Sequence, residues 1–230
     1  MAADAFDEQV SGIAALDHRT SREAYRLVGE HRWIGRDEAA DKLGVVRSVA
    51  AFHLDKLVAA GLLTVRYERV SGRTGPGAGR PAKLYGRSDR EFEVSLPPRR
   101  YDLAGSLLAS AIERARTAGL AVEEAVDVVA RETGERIGAA SAVPTTTGRP
   151  AAEFDVLAAQ GYEPQEQAAD IVLANCPFHS LAAEHRALVC RMNLAFITGV
   201  LAGLDSTELA ARLAPEPGYC CVRLVPAAEG

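Results

Sequence analysis

The sequence predicts an α+β chain built in two parts, and three observations carry that prediction. Residues 36–60, RDEAADKLGVVRSVAAFHLDKLVAA, hold two helical patterns separated by Gly44. Two runs of strand formers, Leu62–Glu68 and Lys83–Arg87, flank a stretch too rich in Gly, Pro and Arg to be helix. Pro97–Pro98 and Arg99–Arg100 then punctuate the chain, and beyond them long apolar helical periods alternate with short strand-like runs.

Taken in order, residues 1–15 read as a loose tail. A first helix is expected from Asp17 to His31, with Leu16, Ala24, Leu27 and Val28 along its apolar side. Trp33 and Ile34 follow and are expected to pack beneath the next element. Arg36–Leu43 makes a short helix, and Gly44 gives the turn because it accepts the left-handed backbone that ends a helix. Arg47–Ala60 makes the second helix of the pair, stopped at Gly61. Val45, Ala50, Leu54 and Leu57 form its inner stripe, while Val46, Arg47, Ser48, Ala51, Phe52, Asp55 and Lys56 lie outside it. The two strands and the segment Arg69–Ala82, RVSGRTGPGAGRPA, complete a β-hairpin with a basic tip. Helix, helix-turn-helix and hairpin in this order make a winged helix-turn-helix, predicted over residues 16–98.

In a helix-turn-helix the N-terminal part of the second helix enters the DNA major groove. Arg47 and Ser48 are therefore the first candidates for base or phosphate contact, with Ala51 and Phe52 on the same outer surface. Lys56, two turns later, is a candidate phosphate contact. Arg73 and Arg80 in the hairpin tip are candidates for a narrow minor groove, where Arg is favoured. The charge distribution agrees. Residues 17–100 carry 17 Lys and Arg against 11 Asp and Glu, whereas residues 101–230 carry 9 against 17. A basic first part joined to an acidic remainder points to a polyanionic partner for the first part alone.

The bulk composition, 48% hydrophobic and 25% charged over 230 residues, is that of a globular chain with one large or two small domains. No apolar stretch is read as approaching the roughly 18–20 residues that cross a bilayer. The first 16 residues hold three acids and no Lys or Arg, unlike a secretory leader. The expected location is the cytoplasm, where thiols stay reduced, so the four Cys are expected as ligands, sensors or core residues.

Residues 99–230 are predicted to hold dimerisation helices and a small α+β sensor domain. Tyr101–Ala118 is a helix with Leu103, Leu107, Ala111 and Ala115 on one stripe and Leu108 and Ile112 beside it, apolar over an arc wide enough to demand burial. Val122–Ile137 and Ala151–Gln160 are further helices, separated by a polar loop at 139–150. GYEP at 161–164 is a turn, Asp170–Ala174 a short strand, Leu181–Gly203 one long helix, and Tyr219–Val225 a last strand. Glu208–Leu213 fits strand or helix equally. A homodimer is expected, because one winged helix reads too few base pairs to be selective alone.

All four Cys lie in this second part. Cys176 is placed at a helix N-terminus by Pro177, where the helix dipole favours thiolate. Cys190 lies within the same helix. Cys220 and Cys221 lie in the last strand, which is expected to pair beside the strand leading into Cys176. Strand alternation sends those two side chains opposite ways, with Cys220 inward beside Val222 and Leu224. Three readings stand side by side: an iron–sulfur cluster on thiolates, tetrahedral zinc on three Cys and His179, or buried apolar Cys with no cofactor. His185 lies between Cys176 and Cys190 in sequence. A Cys176–histidine nucleophile pair has no accompanying acid or oxyanion loop, so an enzyme is not expected.

The run LGVVRSVAAFHLDKLVAAGLL followed by GAGRPAKLY resembles the ArsR-like winged-helix regulators of bacteria. NCPFHSLAAEHRALVCRMN with the terminal PGYCCVRL resembles the sensor half of the iron–sulfur-dependent repressors of the suf operon. The resemblance spans residues 17–225. It implies a cytoplasmic homodimeric repressor that binds a double-stranded DNA operator under the control of a cluster held by C-terminal Cys. It implies Cys176 and Cys190 as ligands and one of Cys220 and Cys221 as the third. Some members carry a further Cys between the second and last positions; this chain has none there, which leaves a 4Fe–4S cluster with another or exchangeable fourth ligand. A ligand-pocket regulator or a zinc-holding paralogue is the alternative.

Overall fold

The computed structural model describes the backbone of residues 2–68, 81–141 and 151–227. The chain is α+β, with two small antiparallel sheets, and divides into two compact units, Met1–Val94 and Ser95–Gly230.

In the first unit, α1 (Ala2–Ala14) and α2 (Arg19–His31) precede a two-residue strand, β1 (Ile34–Gly35). Then come α3 (Arg36–Leu43), α4 (Arg47–Ala59), β2 (Leu63–Glu68) and β3 (Ala82–Arg87). Gly44 takes φ 63° and its N–H closes back on the carbonyl of Asp41, so the chain turns sharply between α3 and α4. The strands pair antiparallel in the order β1-β3-β2, with Val65 opposite Tyr85. Ala24 and Val28 of α2, Ala39 of α3, Leu54 and Leu57 of α4, and Leu63 and Tyr85 of the sheet form one core. Ala50, Leu54 and Leu57 of the expected inner stripe are buried, and Val45 is half-buried.

Residues 2–15 correct the expectation of a loose tail. α1 is held to the segment after β3: Gln9 Oε1 accepts from the N–H of Glu93 at 2.9 Å, and Arg90 pairs with Glu8 at 2.7 Å. Gly12 lies against the Phe92 ring so closely that a Cβ there would run into it.

In the second unit, α5 (Tyr101–Ala118), α6 (Val122–Ser141) and α7 (Ala151–Ala159) come first. They are followed by β4 (Pro164–Gln167), β5 (Asp170–Leu173), α8 (His179–Glu184), α9 (Arg186–Gly203), β6 (Leu209–Leu213) and β7 (Val222–Pro226). The sheet order is β4-β5-β7-β6, antiparallel throughout, with Ile171 of β5 opposite Leu224 of β7. The expected pairing of the last strand beside the strand leading into Cys176 is therefore present.

Several expectations are corrected here. The long helix 181–203 is two helices, broken at His185, whose φ −124° and ψ 49° leave the helical region. No Gly or Pro marks that break, so a count of apolar periods runs through it. Pro164 begins an edge strand rather than ending a turn; the first residue of an edge strand is where Pro costs no ladder bond. Residues 209–213 are strand. On α5 the stripe Leu103, Leu107, Ala111 and Ala115 is buried, but Ile112 is 53% exposed, so the buried arc is narrower than the apolar one. α9 meets the length and composition of a membrane span, with mean hydropathy 1.3 over 18 residues, although Arg186 and Arg191 interrupt the run. Half of that window is buried inside the unit, where α9 is the core helix.

α6 and α9 cross at backbone contact. A Cβ on Gly134 would run into the carbonyl of Phe196, one on Gly138 into that of Val200, and ones on Gly199 and Gly203 into those of Arg131 and Glu135. Arg191 of α9 also donates to Asp127 of α6 at 2.9 and 2.8 Å. Gly199→Ala is therefore expected to lower denaturant stability by about 1–3 kcal/mol, the cost of overpacking a filled site. Gly105→Ala, at an exposed position of α5 with open space around it, is expected to be neutral or stabilising by up to about 1 kcal/mol. Equal effects of the two substitutions in urea titrations would refute the close-crossing account.

Candidate functional site

Two surfaces carry the candidate residues, one in each unit. On the first, Arg47, Ser48 and Lys56 of α4 are exposed, as is Phe52 at 65%, while Ala51 is half-buried. Val46, immediately before the helix, is 67% exposed. Arg47 pairs with Asp37 of α3 at 2.5 Å. Arg73 and Arg80 lie outside the described residues.

Behind this surface Asp55 gathers three partners. Arg36 donates to it at 2.9 Å, Lys83 at 2.6 Å and the Tyr85 hydroxyl at 2.7 Å, tying α3, α4 and β3 together. Burial pushes the Asp55 carboxyl up, but hydrogen bonds from Lys83 and Tyr85 and the charge of Arg36 outweigh it and hold the group below its ordinary value. Gly35, Arg36, Asp37, Arg47, Tyr67 and Lys83 border a surface depression of about 430 Å³ between α3, α4 and the hairpin, in which cations outnumber anions.

His53, next to Phe52 and in edge-to-face contact with its ring at 5.3 Å, is buried. Its Nδ1 lies 3.0 Å from the Ser21 hydroxyl, and its ring stacks on His18 at 4.6 Å. Burial, then the nearby His18 and Lys56, push its pKa below the ordinary 6.5. The folded unit thus holds His53 neutral, and the unfolded chain takes up its proton first as pH falls. The stability this provides is complete above about 6.5 and is lost as pH falls through the lower folded value. Hydrogen-exchange protection of the α4 amides, corrected for intrinsic rates, is expected to decline over that acid range in the wild-type chain and much less in His53→Gln. Protection of equal pH dependence in both would contradict it.

The second surface is built from three segments of the second unit. Cys176 sits in the loop after β5, Cys190 in the second turn of α9, and Cys220 and Cys221 in the bend before β7. All four thiols are free, and all four border one pocket of about 540 Å³ together with His179, Arg186, Glu216 and Tyr219. His185 is not part of its lining.

Two parts of the sequence argument are corrected by this geometry. Cys176 does not cap a long helix, since α8 begins three residues later and has six residues. Its thiol is nonetheless held below the ordinary value, first by a hydrogen bond from Cys220, against burial, and then by the N–H of Phe178. Cys220 and Cys221 precede the strand instead of lying in it, so strand alternation does not separate them and both reach the pocket. Cys220 is the more buried of the two, as expected.

The remaining thiols follow the same logic. Hydrogen bonds from Cys220, and then from Cys190 and Asn193, outweigh burial and hold Cys221 down to about 6. Burial first, and then donation to Cys221, push Cys190 up to about 12. Cys220, donating to both Cys176 and Cys221 and deeply buried, is pushed far above the ordinary range.

The supports of this site carry no sequence motif. Asn193, one turn after Cys190 on α9 and fully buried, donates through Nδ2 to Cys220 Sγ at 3.2 Å and accepts from the buried Tyr162 hydroxyl. Asn175 Nδ2 donates to the carbonyls of Gly161 at 2.6 Å and Pro98 at 2.9 Å. Arg99 donates to Asn175 Oδ1 at 2.5 Å and to the Cys176 carbonyl at 3.2 Å, and the N–H of Arg100 donates to Pro177 at 3.1 Å. The chain that enters the second unit is thus fastened directly to the Cys176 loop. A buried Asn or Tyr beside an apolar helix period was the only available signal.

Among the described residues no three Cys, His, Asp or Glu side chains are gathered tightly enough around one point to hold a single metal ion. Four sulfur donors bordering one pocket are ligands of the kind that iron–sulfur clusters and zinc take. No protein-family model, curated protein or solved structure matches this chain.

Proposed function

We propose that the chain is a DNA-binding transcriptional repressor whose operator affinity answers to an iron–sulfur cluster held by the cysteines of its second unit. The observation that carries this reading is the gathering of all four thiols, from three separate segments, around one pocket in a chain whose other unit exposes Arg47, Ser48, Phe52 and Lys56 on a single helix surface. The order α3, Gly44 turn, α4 and β-hairpin supports a winged helix-turn-helix, with α4 as the helix that enters the major groove. Arg47 and Ser48 contact bases or phosphates at its N-terminal end, Phe52 offers an apolar edge to a thymine methyl, and Lys56 contacts phosphate. A homodimer places two such helices on half-sites about one helical turn apart.

In the second unit Cys176, Cys190 and one of Cys220 and Cys221 would hold the cluster, with His179 at the same pocket as a further donor. When bound, the cluster would supply sensitivity to oxidants and to iron supply. Asn175, Arg99 and Arg100 tie the Cys176 loop to the segment that joins the units, so a change at the loop reaches the chain leading to the DNA-binding unit. A second reading, a small-molecule regulator, is favoured by the size of the pocket, which exceeds what one ion needs. Protein purified without oxygen distinguishes them: matching iron and sulfide support the cluster, zinc alone supports a metal-holding variant, and neither supports the small-molecule pocket.

Arg47→Ala is expected to weaken binding to DNA selected from a random pool by about 1–3 kcal/mol while leaving iron and sulfide content unchanged. Cys190→Ala is expected to lose the iron and sulfide first. Full iron in Cys190→Ala would remove the site assignment, and unaltered DNA binding in Arg47→Ala would remove α4 as the reading helix.

A further inference from the structure

We infer that the outer face of α5 pairs antiparallel with the same face of a second copy of this chain, in the register that sets Leu108 opposite Ala109. The inference rests on the homodimer proposed above and names the surface that forms it. At about 100° per residue, Tyr101, Gly105, Leu108, Ala109, Ile112 and Arg116 share one side of α5. The core of the unit takes a different side, that of Ala104, Leu107, Ala111 and Ala115. On the outer side Ile112 is 53% exposed, Gly105 and Ala109 are exposed, and Leu108 is half-buried. A Cβ on Gly105 would meet nothing within 4 Å, which leaves room there for a side chain from outside. A lone exposed Ile is ordinary on a protein surface. What singles this face out is that it complements itself.

A two-fold pairing makes every contact occur twice, residue i of one copy on residue j of the other and j on i. With Leu108 opposite Ala109 in an antiparallel pair crossing at about 20°, Gly105 stands opposite Ile112 and Tyr101 opposite Arg116. Each Ile112 then seats over the glycine of the other copy and each Leu108 over an alanine, so large meets small along the whole seam. The charges match in the same register. Asp102 comes alongside Arg116 of the second copy. Its carboxylate accepts from Arg100 at 3.1 Å, yet the side chain is 59% exposed, so a second cation can reach it. Arg116 is exposed and has no salt bridge among the described residues. Glu113, one turn earlier, is exposed on the same edge. Arg116 thus stands between its own Glu113 and the Asp102 of the second copy, once at each end of the seam. Antiparallel order also brings each helix N-terminus beside the other helix's C-terminus, where the dipoles attract. A parallel pair would instead set Ile112 on Ile112 and Arg116 on Arg116.

The test is sedimentation equilibrium of the full chain without DNA, with circular dichroism to show that each variant keeps its helix content. The wild-type chain is expected to dimerise. Ile112→Glu is expected to raise the dimer dissociation constant about tenfold or more. Ser110→Glu, which adds the same charge on the other side of α5, is expected to leave it unchanged. Asp102→Arg and Arg116→Asp are each expected to weaken the dimer, and the two together in one chain to restore it. A dimer untouched by Ile112→Glu would refute this face while leaving the homodimer standing. A double charge reversal weaker than either single one would refute the register. A monomeric wild-type chain would leave the face to another protein and overturn both the pairing and the homodimer. These readouts involve neither iron nor DNA, so the cluster and the DNA contacts of α4 stand or fall separately.

Discussion

The second unit depends on the backbone-to-backbone crossing of α6 and α9. Gly134 and Gly138 on one helix and Gly199 and Gly203 on the other leave no room for a single methyl group. Such closeness fixes α9 in depth and rotation, and α9 carries both Cys190 and Asn193. Asn193 in turn holds Cys220 through its amide and Tyr162 through its oxygen. The sheet fixes the other side of the site, since the N–H of Cys220 donates to Leu173 at 2.8 Å, joining the bend before β7 to the end of β5. The thiols therefore converge because a helix crossing and a strand ladder bring three distant segments to one place.

A site so placed is linked to the rest of the chain through Asn175. Its amide and carbonyl oxygen join Gly161, Pro98 and Arg99, so the loop bearing Cys176 and the segment leading from the first unit share one hydrogen-bond cluster. In the proposed repressor, coupling between cofactor and DNA would need only about 1–3 kcal/mol to change affinity several-fold to a hundred-fold. Loss or strengthening of two or three such bonds is of that size.

The first unit was legible in the sequence because its signals are local. Gly44, the period of Ala50, Leu54 and Leu57, and the two runs of strand formers each announce a helix end, an inner face or a strand. Tyr101–Ala118 was legible for the same reason, as an uninterrupted period bounded by prolines and Gly119. What escaped had tertiary causes. α1 reads as a loose tail until the segment carrying Phe92 covers Gly12. The break at His185 has no Gly or Pro to announce it. Cys220 and Cys221 were expected to diverge on a strand, yet the strand begins after them. Asn175, Asn193 and Arg99, which organise the Cys site, are ordinary polar residues until the fold brings their partners within reach.

The most direct measurement of the account is the affinity of one anaerobic preparation for its selected DNA before and after its cofactor is removed by chelator, by fluorescence anisotropy at fixed salt. The account predicts a shift of roughly 5- to 150-fold, the span of a typical coupling free energy, restored on reconstitution with iron and sulfide. Equal affinity in the loaded and stripped states would separate the thiol pocket from DNA recognition and contradict it.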